Sequence, residues 1–350
     1  MKINHTSCMH ESHKWYKEKL FLVILFLIVL VTLQAILNSF GIQALNNLVS
    51  TFSNYLGMVW LPISIGVLLG GLIEYYIPKE YISKFLSTTK KSTIFYSVIL
   101  GFMMSGCSHG ILAIAIELYK KGASVPAVIS FLLATPWANF TITLLLFSFF
   151  GFKAFLLIGA TIIIAIITGL IYQVLDKKGL IEPSKNITQV EKDFSIINDI
   201  TSRLKNYRLS LITLKNDFHG VLNGTWSLAK MVVWWLLIGV LLASIASTYI
   251  PHEFFSKYMG PTLLGLVVTL ALATAIEICS EGSAPLAFEV YKQTNAFGNS
   301  FALLTGGVVT DYTEIGLIWS NIGKKAAIWL PIVTVPQVLL IGYLFNILVK

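Results

Sequence analysis

Five stretches of this chain, Leu20 to Leu37, Val59 to Ile73, Ala154 to Tyr172, Met231 to Ala246 and Ile328 to Ile347, contain no Asp, Glu, Lys or Arg. At 1.5 Å per residue, each is long enough, or nearly so, to cross a hydrocarbon core of about 30 Å as a helix. Only 12% of the 350 residues are charged, against about a quarter in a soluble domain. The expected fold class is all-α, a polytopic protein of the lipid bilayer at the cell (inner) membrane.

The net charge of +8 would suit a nucleic-acid partner if it formed a patch. Instead the lysines and arginines cluster between apolar segments, as the cytoplasmic excess of basic residues requires. The charge is therefore assigned to topology, and no nucleic-acid partner is expected. Residues 1–19 read as a cytoplasmic tail and 20–37 as a first transmembrane helix, since no small-x-small cleavage site follows the apolar run. Cys8, Cys107 and Cys279 are too few and too scattered for a disulfide framework.

The rest of the chain repeats itself. Ile65-Gly66-Val67-Leu68-Leu69, Tyr76-Ile77-Pro78 and Ser83-Lys84 return as Ile238-Gly239-Val240-Leu241-Leu242, Tyr249-Ile250-Pro251 and Ser256-Lys257 at one constant interval. After a one-residue slip, Cys107-Ser108-His109-Gly110 matches Cys279-Ser280-Glu281-Gly282. Glu117-Leu118-Tyr119-Lys120 then matches Glu289-Val290-Tyr291-Lys292, and Asn139-Phe140-Thr141 matches Asp311-Tyr312-Thr313. Residues 55–175 and 226–350 are thus expected to be two copies of one transmembrane unit. Between them, residues 176–225 form a polar linker. Its Val190, Phe194, Ile197, Leu204, Tyr207, Leu211, Leu214, Phe218 and Val221 recur at helical spacing, which predicts an amphipathic helix on the membrane surface.

Two apolar segments of the first copy, Ser92 to Lys120 and Ser124 to Phe150, are interrupted near the middle, at Gly106 to Gly110 and at Thr135 to Asn139. Such breaks free backbone groups inside the bilayer, and they are tolerated where protein or a water-filled cavity satisfies those groups. If every segment crosses, the copies are parallel and the basic residues divide nearly evenly between the two sides. If one broken segment per copy is a re-entrant hairpin, the copies are inverted. The N-terminal lysines, Lys79, Lys84, Lys90, Lys91, the linker, Lys324 and Lys325 then share the cytoplasmic side, leaving about five basic residues outside. The bias favours inversion; which segment is re-entrant stays open.

Ionisable residues within spans cost about 2.5–3.5 kcal/mol each at a helix centre and mark function by default. The second copy carries Glu277, Glu281, Glu289, Asp311 and Glu314, the first Glu74, His109 and Glu117. For any one of these, capping of a half-helix N-terminus is the structural alternative. Glu117 and Glu289, beside Tyr-Lys at segment ends, read as interfacial. Cys107 and Cys279 hold equivalent places at breaks, and thiolate sulfur with imidazole suits soft cations and metalloids. The metal-binding set stays unknown. His5, Cys8, Met9, His10 and His13 form a soft-ligand tract in the tail, for which a tail without function is the competing account. Nucleotide-binding and zinc-protease motifs are missing from the sequence, and no cofactor is expected.

At Gly106 to Gly110, Phe131 to Asn139, Ile278 to Pro285 and Gly306 to Thr313, the chain resembles the bacterial permease family that includes the ArsP-type organoarsenical efflux permeases. The likeness covers most of residues 55 to 350. It implies efflux of a trivalent organoarsenical or related metalloid, which suits the paired cysteines.

The expected substrate site lies where the copies meet, at Cys107, Ser108, His109 and Asn139 from one and Cys279, Ser280, Glu281 and Asp311 from the other. Glu277, Glu281, Asp311 and Glu314 are the candidate proton-coupling groups. The function expected is secondary transport of a small solute rather than enzyme activity, with homo-oligomerisation left open. The competing functions are transport of an ordinary organic solute and an intramembrane metal-dependent enzyme.

Overall fold

A computed structural model describes residues 19–41, 43, 45–76, 92–103, 108–120, 122–138, 140–182, 211–276 and 280–349. The described chain is helical, with no strand among these residues. In order, its helices are α1 (Lys19–Ser39), α2 (Asn46–Tyr76), α3 (Ser92–Met103), α4 (Ser108–Lys120), α5 (Val125–Ala138), α6 (Phe140–Phe150) and α7 (Ala154–Lys177). There follow α8 (Leu211–Tyr249), α9 (His252–Tyr258), α10 (Leu263–Ile276), α11 (Ser280–Thr294), α12 (Phe297–Val309), α13 (Tyr312–Asn321) and α14 (Lys324–Leu348). Among the described residues six helical stretches are long and apolar enough to cross a membrane, or seven if α9 and α10, bent by 109°, count as one.

Helix α1 is apolar on every side and buries no residue, so its surface suits lipid rather than water. The Lys19 ammonium 4.8 Å over the Trp234 ring and a Gln34–Asn46 hydrogen bond of 3.0 Å tie it to α8 and to the start of α2.

The remaining helices can be oriented from their paired contacts. Tyr75 of α2 donates to Asp217 of α8 (2.9 Å), while Tyr55, at the other end of α2, meets Ser247; these two helices run antiparallel. So do α7 and α14, because Gln337 donates to Thr168 (3.0 Å) and Tyr172 to the Ala326 carbonyl (2.6 Å). Each of these pairs joins a helix of the first half to one of the second.

Within the second half, Asn299 of α12 reaches Thr269 (3.3 Å) and Gly306 lies on Leu270 and Ala273, so α10 and α12 are parallel. Ser300 of α12 donates to the Ala287 carbonyl (2.7 Å), and Ser283 and Leu286 share one small cavity with Leu303 and Gly307. Helix α11 is therefore antiparallel to α12 and to α10, and α10 with α11 forms a hairpin. In the first half, Ile94 and Ser130 both close on Gly169, and Gly101 lies on Ala134 and Thr135, so α3 and α5 are parallel like α10 and α12.

Charged residues sort onto two ends of this bundle. At one end Lys153 donates to Tyr291 (2.6 Å) and His252 meets Gln293 (3.1 Å). At the other, Glu182 accepts from the backbone N–H groups of Lys325 (2.9 Å) and Ala326 (3.1 Å). Partial burial pushes the Glu182 carboxyl up. The N–H donors of Lys325, Glu182 itself and Ala326, with the Lys325 charge, outweigh it and hold the group below the ordinary glutamate value. A carboxyl lowered by folding contributes stability that is complete above its unfolded value and is lost as pH falls through the folded one. Glu182→Gln should thus cost about 0.3–1 kcal/mol at neutral pH, the worth of an anion at a helix N-terminus. Thermal melts should show the variant converging with wild type in acid, below 4.5.

Two sequence expectations shift. Residues 211–225, assigned to a linker, continue unbroken into the 39-residue α8; the rest of the expected surface helix, residues 190–210, lies outside the described residues. The first repeat helix begins at Asn46 rather than near residue 55. Polar Asn46, Asn47, Ser50, Ser53 and Asn54 dilute its apolar signal.

Candidate substrate site

Of the breaks expected from sequence, the one at Thr310-Asp311, between α12 and α13, lies within the described residues, and the antiparallel course of α10 and α11 requires a second between Ile276 and Ser280. The two breaks of the second half lie at one depth. Helices α11 (15 residues) and α12 (13 residues) meet at the turn Asn295-Ala296, on the end carrying His252 and Lys153. At 1.5 Å per residue their far ends both lie about 20 Å below that turn, well inside a core of about 30 Å. A hydrogen bond of 2.6 Å between Thr274, near the end of α10, and Thr310 joins the two breaks directly.

Each break opens a helix N-terminus that carries acid. Glu281, in the first turn of α11, has no exposed surface, and its Oε2 accepts from the Ser280 hydroxyl at 3.0 Å. Ser280 is 1% exposed, and the Ser283 hydroxyl donates back to its carbonyl (3.1 Å). Asp311 is the N-cap of α13 and accepts the Glu314 N–H at 2.9 Å, so part of its role is the structural one open to any such carboxylate. Glu314, one turn on, is fully buried. Negative charge is favoured at both helix starts, where unpaired N–H groups and the macrodipole give a positive potential.

The halves interlock around this region. Helix α13 packs on α4, whose first turn holds Ser108 and His109, and α6 packs reciprocally on α11. Cys107, Asn139, Glu277 and Cys279 lie outside the described residues, as does the N-terminal His and Cys tract; of Ser108 and His109 only the backbone is described. The structure thus places Ser280, Glu281, Asp311 and Glu314 in buried positions at two joined breaks. Among the described residues, no group of three or more His, Cys, Asp or Glu side chains is placed to hold a metal ion.

One residue was misread from sequence. Glu117 is exposed, as an interfacial group should be, but its counterpart Glu289 has no exposed surface. Tyr55 donates to Oε2 of Glu289, Gln293 donates to Oε1 at 2.6 Å, and Lys292 stands 3.9 Å away. A signal was available: Glu281, Glu289 and Gln293 fall on one row of four-residue steps along α11.

Comparison with known proteins agrees with this architecture. A family model described as a predicted permease, of the ArsP type, matches residues 44–347. The UPF0718 protein YcgR of Bacillus subtilis is 22% identical over 287 residues, covering 81% of this chain and 90% of that protein. The UPF0718 protein MJ0584 of Methanocaldococcus jannaschii is 21% identical over 360 aligned residues, covering 89% and 98%. A putative two-component membrane permease complex subunit of Streptococcus mutans is 24% identical over 226 residues, covering 63% and 69%. No solved structure matches the chain significantly. With its multi-pass helical fold and a family match spanning nearly the whole sequence, the chain belongs to the ArsP-type predicted permease family.

Proposed function

We propose that this permease is a secondary transporter that exports a small thiol-reactive solute, a trivalent organoarsenical or related metalloid, across the inner membrane. The observation that carries this reading is the pair of joined breaks inside the bundle, with buried Ser280, Glu281, Asp311 and Glu314 at two helix starts. Discontinuous helices of this kind form substrate sites in transporters. Glu281, Asp311, Glu314 and Glu277 are assigned proton coupling, while Cys107, Ser108, His109, Asn139, Cys279 and Ser280 are assigned substrate contact. Thiols at both Cys positions would suit a soft centre. A second protein component is a partner to test for, since one relative is described as a subunit of a two-component complex.

The antiparallel pairing of α2 with α8 and of α7 with α14 supports two inverted copies. The α10–α11 hairpin supports re-entry by the first broken segment of each. On this reading Glu182 and Lys325 face the cytoplasm. Single-cysteine variants near Lys90 and Lys192 should resist labelling from outside intact cells, and one at exposed Lys257 should label; external labelling at 192 would end the inverted assignment.

The transport reading is tested by exposing deletion and overexpression strains to trivalent organoarsenicals and to a panel of unrelated solutes. Overexpression should lower accumulated arsenic and protect growth. Protection against an unrelated organic solute alone would replace the substrate class.

A further inference from the structure

The buried carboxylate of Glu289 sits apart from the joined breaks, eight residues along α11 from Glu281, in the half of the bundle that carries His252 and Lys153. It has no exposed surface. Tyr55 from α2, Phe149 from α6 and Phe288 from α11 cover it. The two phenylalanines stack at 5.0 Å, and the tyrosine stands edge-on to both, at 6.4 and 6.1 Å. An acid in such a setting is costly unless its lone pairs are used. Here they are: Tyr55 donates to Oε2, and Gln293 donates to Oε1 at 2.6 Å.

The titratable and charged groups around it are few. Helix α2 offers Tyr55. Helix α11 offers Lys292, its ammonium 3.9 Å from Oε2 and 5.7 Å from the Tyr55 ring centre, and Tyr291, which accepts from Lys153 in the turn between α6 and α7. Helix α9 offers exposed His252, which meets the far side of Gln293 at 3.1 Å. Helix α8 contributes the uncharged hydroxyl of Ser247 beside Tyr55.

We propose that Glu289 is a proton-binding latch: ionised, it ties α11 of the second half to α2 of the first, and protonation weakens that tie. An ionised carboxylate only accepts, so it holds both donors at once. A protonated carboxyl carries an O–H of its own that needs an acceptor. The Gln293 amide nitrogen cannot serve, and Tyr55 can serve only by turning its proton toward Ser247. Loading a proton therefore turns the Tyr55 bond around or swings the Gln293 amide over, and the bond left between the helices is neutral and about half as strong. Because α11 carries Glu281 in its first turn and ends just past Gln293, a weaker tie at this end loosens the helix that carries the inner acid. The exposed His252–Gln293 side is the route by which the proton arrives, on the face assigned to the exterior.

The inference rests on the chain being a permease, but its test needs no substrate and so fails independently of the transport reading. Hydrogen exchange of the full-length protein in nanodiscs, followed by mass spectrometry between neutral and mildly acidic pH and corrected for intrinsic exchange, reads the latch. Protection of residues 48–56 and 286–293 should fall about tenfold or more on acidification, as expected for local opening coupled to one proton. In Glu289→Gln it should already be low at neutral pH and no longer respond. Tyr55→Phe keeps the ring packing and removes the hydrogen bond between the helices, so protection of both segments should already be reduced at neutral pH. A wild-type response that persists unchanged in Glu289→Gln, the absence of any response in wild type, or wild-type protection at neutral pH in Tyr55→Phe would overturn the proposal.

Discussion

Glu281→Gln should leave the protein folded and inserted while removing the pH dependence of transport and slowing it about a hundredfold, the lower end of what a positioned proton-transfer group contributes. The side chain is fully buried about 20 Å below the turn at the far end of its helix, where an ionised carboxylate costs about 2.5–3.5 kcal/mol. Glutamine removes that cost and still presents an oxygen to the Ser280 hydroxyl. Stability should therefore hold or rise. Cys107→Ser and Cys279→Ser should behave differently, losing tolerance to soft metalloids while keeping the pH response. Rates in vesicles across a pH series, with melting curves for each variant, separate the two effects. A Glu281→Gln protein that transports at the wild-type rate and pH profile would remove this residue from the coupling path.

Gly239→Ala is expected to be among the most destabilising single-methyl changes in the molecule. A Cβ there would collide with the Gly282 carbonyl oxygen, so α8 and the first turn of α11 touch backbone to backbone. Small residues permit such close approach between membrane helices. Overpacking costs about 1–3 kcal/mol even where neighbours yield, and a helix carbonyl yields less than a side-chain end. Gly159→Ala is the matched control: its new methyl meets nothing within 4 Å. Better helix propensity should make it neutral or stabilising by up to about 1 kcal/mol. Equal melting temperatures for the two variants would show that α8 and α11 do not meet this closely. Because Gly282 adjoins Glu281, the first variant should also disturb the pH response before the fold is lost.

Much of this architecture is written locally in the chain. The spanning helices follow from uncharged runs, and the break between α12 and α13 from the polar Thr310-Asp311 that ends one of them. These are properties of neighbouring residues, so a one-dimensional reading reaches them. For Glu289 the local signal is limited to its four-residue row with Glu281 and Gln293. Its Tyr-Lys neighbourhood is the same as that of Glu117, and Tyr55 and Phe149, brought in from other segments to pack with the adjoining Phe288, distinguish the buried carboxylate from the exposed one. The hairpin of α10 and α11 was likewise undecided, because hydropathy records the length of a segment and not its direction. The side chain of Asn299 shows how direction is fixed. It donates to the Met259 and Gly260 carbonyls (2.7 and 3.0 Å) and accepts from Asn346 at 2.7 Å, clamping the start of α12 between the α9–α10 connection and the end of α14.

The most direct test of the transport assignment is counterflow in proteoliposomes preloaded with a trivalent organoarsenical and diluted into labelled solute. The purified permease should accelerate exchange well above protein-free vesicles, and Glu281→Gln should alter its pH dependence. Exchange no faster than in protein-free vesicles, from protein shown to be folded and for every solute in the panel, would contradict transport by this chain alone.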